Sequence, residues 1–253
     1  MARYRYRARG HEYMDEPDID GEALFQALRE LEIINRYLGG HRTSILGIEQ
    51  LLQGQPAGRD HTVLDIGAGG ADTAVELERW GRRAGWSLRV VSLDINPSSC
   101  RWALERLKKD AAVDLPTTPP LVVAGDVFRV PFRPGCFDIV HSSLFLHHFD
   151  DDEAVLILRA MRGLARIGVV INDLHRHPLA YWSVRLGSAL LSRSAFVQHD
   201  GPLSVLRGFR RDELENLADA ADACSASLCW RWGFRWGLCL PTAKPLVAAG
   251  VDR

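Results

Sequence analysis

The sequence is short of cysteine, of lysine and of long hydrophobic runs. Its five cysteines contain no CxxC pair and are odd in number, which argues for reduced thiols in a cytoplasm and against a disulfide framework or a zinc site. Almost all of its positive charge is arginine, and the many alanines and glycines suggest a GC-rich bacterial genome. No apolar run approaches the roughly 18–20 residues of a membrane span, so we expect none.

The chain also lacks an excess of either charge. It has 31 basic and 32 acidic residues, for a formal net charge of -1. A nucleic-acid partner would require a positive field that releases counterions, so we expect no such partner. Arginines are concentrated in residues 1–9, where no apolar core of a secretory signal follows. We expect this segment to be a frayed, solvated tail.

Short apolar runs alternate with helical stretches from residue 61 onwards. This alternation predicts a Rossmann-like α/β fold, with a mostly parallel sheet and helices on both faces. The predicted strands cover 62–66, 88–93, 121–123, 137–140 and 168–171. The predicted helices between them cover 71–84, 97–110 and 151–165.

The rest of the chain is predicted to be helical, except for its end. Residues 1–55 are expected to form a tail and a helical lid, with helices over 21–38 and 42–53. Residues 56–253 are expected to form the main domain. A helical segment at about 178–222 is expected beside the substrate, interrupted by a loop over 192–205. The pattern around Gly233 predicts a C-terminal β-hairpin.

A glycine turn joins the first predicted strand to a helix in VLDIGAGGADTA, residues 63–74. Glycines let backbone amides approach a ligand closely, so the turn predicts a cofactor site. Asp65 would repel a dinucleotide pyrophosphate but attract an ammonium group. The third glycine of the dinucleotide pattern is also absent, because Asp72 occupies its place. An NAD(P)-dependent oxidoreductase is therefore a less favoured alternative.

Two further acidic residues follow the next two strands. Asp94 ends the second strand, where a carboxylate can accept both ribose hydroxyls of a nucleoside. Asp126 follows the third, where it could accept from an adenine amino group. Asp65 and Asp94, each taken singly, could instead only cap the turn or helix that follows. Together, Asp65, Asp94 and Asp126 predict a site for S-adenosylmethionine, a nucleoside that carries a cationic amino acid.

With these residues the chain resembles the class I S-adenosylmethionine-dependent methyltransferases, in the small-molecule group similar to the ubiquinone/menaquinone-type (type 11) enzymes. The resemblance covers about residues 60–175 and includes FDIVHSSLFLHHFDD, residues 137–151. It implies a seven-stranded sheet that is parallel except for one strand near the hairpin. It also implies that S-adenosylmethionine lies across the strand ends and leaves as S-adenosylhomocysteine. The family often has a glycine where Ala71 stands, which is a mild change at a helix start. The expected cofactor-binding residues are Asp65, Gly67, Ala68, Gly69, Asp94, Ile95, Asp126, Val127 and His141.

Histidines are concentrated where the fourth and fifth strands end. If the methyl acceptor is a hydroxyl, a base must take its proton, and imidazole is suited to that role. The candidate bases are His148, His175 and His177, although His177 could instead only cap the next helix. The weaker candidates are His147, which could pack inside its loop, and His199. For the acceptor itself we consider Arg176 and Arg207 as carboxylate ligands, although both could be surface charges. Tyr181, Trp182 and Phe209 are candidates for an apolar pocket, although Tyr181 and Trp182 could instead pack in the core.

The sequence thus predicts a methyltransferase that acts by in-line displacement on a small-molecule acceptor. The acceptor group favoured is a hydroxyl of an aromatic, quinone or polyketide-like metabolite, in secondary metabolism. Methylation at carbon stays open, as does a protein that binds the cofactor without catalysis. We expect no metal, and the sequence allows a homodimer.

Overall fold

The computed structural model describes residues 2–16, 18–56, 58–114, 121–223 and 225–242. Cys224 lies outside the described residues, and so do residues 243–253 at the end of the predicted main domain. Seven strands form one sheet: β1 (Asp60–Ile66), β2 (Ser87–Asp94), β3 (Leu121–Ala124), β4 (Phe137–Ser143), β5 (Ala165–Leu174), β6 (Ser227–Arg231) and β7 (Arg235–Pro241). The predicted α/β fold class and the C-terminal hairpin are confirmed.

The strand order places the ends of four strands around one crevice. The order is β3-β2-β1-β4-β5-β7-β6, and β7 runs antiparallel to both of its neighbours. The other strands are mutually parallel, so β7 is the one strand of opposite direction that the family resemblance implied. The chain leaves β1 towards β2 and later returns on its other side as β4. In open α/β sheets, ligands bind beyond the carboxyl ends of the strands at such a switch point.

Eight helices are described, and they cover the sheet and its carboxyl edge. They are α1 (Glu22–Tyr37), α2 (Gly40–Leu52), α3 (Asp72–Ala84), α4 (Pro97–Asp114), α5 (Asp151–Leu164), α6 (Pro178–Leu191), α7 (Ala195–Arg207) and α8 (Arg211–Ala220). All but α7 were predicted from the spacing of apolar residues. No helix in the described part of the chain combines the length and the apolarity that a membrane crossing requires.

The predicted loop over 192–205 is wrong, because most of it is helix α7. Ser194 caps this helix by accepting a hydrogen bond from the backbone N–H of Val197, at 3.3 Å. Pro202 lies inside the helix, where it removes one backbone donor. Val197 and Val205 are buried. Burial of this apolar face therefore outweighs the local turn signals of glycine and proline.

Helix α2 belongs to the core of the sheet. Ile48 and Leu52 are completely buried in a cluster with residues of α3 and the strands. Gly47 lies so close to β5 that a Cβ there would be 2.5 Å from Cγ1 of Val170. The segment predicted as a tail and lid, residues 1–55, thus contains a helix that covers the sheet itself.

The predicted frayed tail is also wrong for the residues described. The backbone N–H of Ala8 donates to the carbonyl of Leu206, at 3.0 Å. The guanidinium of Arg7 donates to the carbonyl oxygens of His147 and Phe149, at 3.0 and 2.8 Å. Arg7 therefore binds carbonyl groups of the fold, where charge patterning suggested only a solvated side chain.

Candidate active site

A large cavity opens at the carboxyl ends of the central strands. Its volume is about 1410 Å³, and α1, α6, α7 and the N-terminal segment 9–15 enclose it. Nine of the predicted site residues line it: Asp65, Gly67, Ala68, Gly69, Asp94, Ile95, Asp126, Val127 and His148. The three aspartates predicted from separate strands therefore share one cavity.

The glycine turn has the backbone conformation that requires glycine. Gly67 has a φ of 68°, and a Cβ there would lie 2.3 Å from a ring carbon of Phe145. Ala71 also has a positive φ, of 56°, which costs a residue with a Cβ about 1–2 kcal/mol. Alanine at this position therefore strains the backbone. Its side chain is buried and does not line the cavity.

Asp65 is held by a histidine behind it. Its Oδ1 lies 2.7 Å from Nδ1 of His141, and Nε2 of His141 lies 2.8 Å from the hydroxyl of Ser44. His141 is completely buried and is not among the residues that line the cavity. The geometry therefore contradicts direct cofactor binding by His141, because Asp65 stands between its ring and the cavity. His141 positions that carboxylate instead.

Asp94 and Asp126 each bind backbone amides as well as facing the cavity. Asp94 accepts from the N–H of Asn96 at 2.9 Å and from that of Gly69 at 2.8 Å. Burial raises its pKa, although these two hydrogen bonds oppose the rise. Asp126 accepts from the N–H of Phe128 at 2.9 Å and caps a short turn. Asp126 thus also caps a turn, and Asp94 at the same time fixes the glycine turn.

Arg235 is a site residue that sequence reasoning missed. It lines the cavity from β7, and only 2% of its surface is exposed. Its guanidinium donates to side-chain oxygens of Asn172 at 3.3 Å and Asn35 at 3.0 Å. Burial lowers its pKa to about 10. The available signal was the single charged residue of the β7 sequence RWGLCLP.

His148 is the predicted base that reaches the cavity. Its Nδ1 faces Oδ1 of Asp15, from the N-terminal segment, in a close contact. Burial raises the pKa of Asp15, but the hydrogen bond and the charge of His148 outweigh this and hold it well below its usual range. Arg207 donates to the other oxygen of Asp15 at 2.7 Å. The Asp15 carboxylate therefore fixes the position of the His148 ring through Nδ1.

The other two predicted bases do not line the cavity, so the structure contradicts a catalytic role for them. Nδ1 of His175 accepts from the indole N–H of Trp230, at 3.2 Å, and burial lowers the pKa of His175 to about 4. His177 caps α6 by accepting from the N–H of Leu179, at 3.2 Å. These two histidines lie away from the cavity because β5 pairs with β7 as far as Leu174, beyond the predicted end of that strand. Both rings therefore lie against the hairpin.

The weaker histidine candidates are held by carboxylates. His147 is buried, and its Nδ1 lies 2.6 Å from Oδ1 of Asp173, so it packs inside its loop as the alternative had it. His199 lies in α7, and its Nδ1 is 2.7 Å from Oδ1 of Asp200. Asp200 also accepts from two backbone amides of the N-terminal segment, which ties that segment to α7.

The acceptor contacts suggested by sequence have structural roles instead. Arg176 is buried and donates to carbonyl oxygens of Tyr4 and Gly208. Arg207 lines the cavity, but its guanidinium donates to the backbone carbonyls of His147 and His148. The predicted aromatic pocket is not formed, since none of its three residues lines the cavity. Tyr181 and Phe209 are core residues, and Trp182 is exposed.

Glu12, His147 and His148 bring together three atoms that could each bind a metal ion. One atom each of Glu12, His147 and His148 lies within 4.8 Å of the other two. Arg207 approaches the same oxygen of Glu12 to 3.4 Å, and Asp15 occupies Nδ1 of His148. A guanidinium at that distance opposes a second cation, so this group is better described as an ion-pair network. Burial raises the pKa of Glu12 within it.

Comparisons with known proteins agree with this geometry. A family model described as a methyltransferase domain matches residues 64–171. Demethylmenaquinone methyltransferase from Roseiflexus sp. (strain RS-1) is 31% identical over 120 residues, which are 46% of this chain and 44% of that protein. The chain therefore spans less than half of the length of this relative.

Solved structures of methyltransferases share the fold at low identity. An O-methyltransferase family protein from Burkholderia thailandensis is 14% identical with a TM-score of 0.59, over 87% of this chain and 60% of that one. The CurJ carbon methyltransferase is also 14% identical, with a TM-score of 0.57, over 80% of this chain and 54% of that one. The match to a methyltransferase domain model favours methyl transfer over the NAD(P)-dependent oxidoreductase alternative. Residues 64–171 are therefore similar to the methyltransferase domain family, and the chain shares the fold of S-adenosylmethionine-dependent methyltransferases, which supports S-adenosylmethionine as the cofactor.

Proposed function

We propose that the protein transfers a methyl group from S-adenosylmethionine to a hydroxyl of a small, largely apolar acceptor. Aromatic, quinone and polyketide-like metabolites are the acceptor classes that fit. The observation that carries this proposal is the placement of Asp65, Asp94 and Asp126 around one cavity that also contains His148. A cationic nucleoside and a proton acceptor can then be accommodated side by side.

The three carboxylates suggest an orientation for the cofactor. Asp65, in β1, would attract the ammonium group, and Asp94 would accept the two ribose hydroxyls. Asp126 would accept from the adenine amino group, with the apolar side chains of Ile95 and Val127 beside the base. Arg235 is the buried cation that would pair with the cofactor carboxylate. This orientation leaves the sulfonium and its methyl group near the glycine turn.

The acceptor side of the cavity is apolar. Side chains of α1, α6 and α7 contribute much of its wall, among them Leu24, Leu28, Val184, Leu191, Val197 and Val205. Apolar walls with a few polar groups are typical of small-molecule sites. A ring or an alkyl chain would be buried there, while its hydroxyl turns towards the cofactor.

The reaction requires alignment, exclusion of water and removal of one proton. Oxygen, methyl carbon and sulfur must be collinear, with the reacting atoms about 3 Å apart. As the acceptor oxygen bonds to carbon and the carbon–sulfur bond breaks, Nε2 of His148 would take the hydroxyl proton. Asp15 would stabilise the imidazolium that forms. The N-terminal segment therefore supplies the partner of the base.

Transfer of a labelled methyl group tests the proposal. The protein would be incubated with labelled S-adenosylmethionine and with phenols, hydroxyquinones and pyrones, and the methylated atom identified by mass spectrometry and NMR. We expect O-methyl products and release of S-adenosylhomocysteine. Products methylated only at carbon would replace this proposal by the carbon-methylation alternative. Cofactor binding without transfer to any acceptor or metabolite extract would favour the non-catalytic alternative.

A further inference from the structure

The outer face of α6 is an exposed apolar stripe. Leu179, Trp182, Leu186 and Leu190 are 63%, 59%, 62% and 72% exposed. Their spacing of three, four and four residues places them within an arc of roughly 80° on the helix. Contiguous exposed apolar surface of this kind marks an interaction site in a folded protein. We refer to these four residues as the α6 stripe.

The opposite face of α6 is part of the cavity wall. Val184, Ser188 and Leu191 line the cavity. Val184 is half-buried and Ser188 is buried. Leu191, at the end of the helix, is also 85% exposed, so it stands at the rim. A single helix therefore separates the acceptor side of the cavity from whatever contacts the α6 stripe.

Positive charge accompanies the α6 stripe. Arg185 is the sole charged residue within α6, and Arg193 follows its end. The guanidinium of Arg3 lies over the ring of Tyr181, 4.6 Å from its centre. One acidic residue is close, since Glu30 accepts from the backbone N–H of Arg193 at 3.0 Å. The guanidinium of Arg185 lies over the ring of Trp182, 5.8 Å from its centre, so Arg185 borders the stripe, while Arg193 and Glu30 lie near its C-terminal end.

We propose that the α6 stripe docks the protein on an anionic lipid bilayer. Leucine and tryptophan side chains would enter the boundary between headgroups and acyl chains, while the arginines pair with lipid phosphates. This goes beyond methyl transfer, because it names a surface and its partner. An amphiphilic acceptor would then pass from the bilayer along the rim at Leu191 into the cavity, without crossing water.

Sedimentation with vesicles tests the docking without cofactor or acceptor. The full chain would be mixed with vesicles of phosphatidylcholine alone and of phosphatidylcholine with phosphatidylglycerol. We expect binding to the anionic vesicles that weakens at high salt. The double variant Leu186→Ser/Leu190→Ser should bind at least about tenfold more weakly. Arg185→Gln should weaken binding to anionic vesicles by about fivefold.

Leu156→Ser is the matched control, because Leu156 on α5 is also exposed, at 55%, and lies outside the stripe. It should bind vesicles like the unaltered protein. Unaltered thermal unfolding and cofactor affinity would show that the variants fold. No sedimentation with anionic vesicles, or equal binding by the double variant, would overturn the proposal. A stable dimer that the double variant dissociates, with no vesicle binding, would assign the stripe to a second copy. Methyl transfer is measured separately, so failure here leaves the proposed function standing.

Discussion

Removal of the Asp94 carboxylate should weaken cofactor binding more than it weakens the fold. In the proposed orientation this carboxylate accepts both ribose hydroxyls, and hydrogen bonds to a charged group contribute about 1.5–3 kcal/mol. That range corresponds to an increase of roughly 10- to 150-fold in the dissociation constant. Asp94→Ala also frees the backbone amides of Gly69 and Asn96. Asp94→Asn keeps one acceptor oxygen for them, so its affinity should be intermediate.

Calorimetric titration with S-adenosylhomocysteine gives these dissociation constants directly. Asp138→Asn is the control, because Asp138 is a buried carboxylate of β4 that binds the backbone N–H of Thr62, at 2.9 Å, near the opposite edge of the sheet. This control should lower stability and leave affinity unchanged. A dissociation constant for Asp94→Ala within threefold of the unaltered protein would refute the placement of the ribose at Asp94.

Three further predictions concern the base, the pH dependence of stability and the packing of α2. His148→Gln should slow methyl transfer by about tenfold or more without changing cofactor affinity, whereas His175→Gln should leave the rate unchanged in the same assay. Because the pKa of His175 is about 4 in the folded protein and about 6.5 when unfolded, the unfolded chain binds more protons between these values. Urea unfolding should therefore show stability falling from pH 7 to 4, and less steeply in His175→Gln. Gly47→Ala should lower the free energy of unfolding by about 1–3 kcal/mol, because its Cβ would meet Val170, and an unchanged value would contradict the packing of α2.

The sheet and the cofactor side of the cavity could be predicted because their signals are local. Apolar runs of strand length alternate with helical spacing, and the glycine turn marks the switch from β1 to α3. The carboxyl ends of parallel strands share one edge, so Asp65, Asp94 and Asp126 could be placed together from strand order alone. No long-range side-chain contact was needed for that inference.

The acceptor side could not be predicted, because it depends on contacts between distant parts of the chain. Asp15 reaches His148 only because Arg207 and Asp200 hold the N-terminal segment on α7. His175 leaves the cavity because β7 pairs with β5 for two residues beyond Asn172. Neither the tertiary pairing nor the docking of the segment has a signal in the local sequence.

Separate calorimetric titrations with two adenosine-containing ligands test the central claim most directly. The claim is that the cavity selects a cationic amino-acid nucleoside and rejects a dinucleotide pyrophosphate, because carboxylates stand where the phosphates would lie. Calorimetry with S-adenosylhomocysteine should give saturable binding at one site, and NADH should give none. Saturable binding of NADH, with no binding of S-adenosylhomocysteine, would contradict the account.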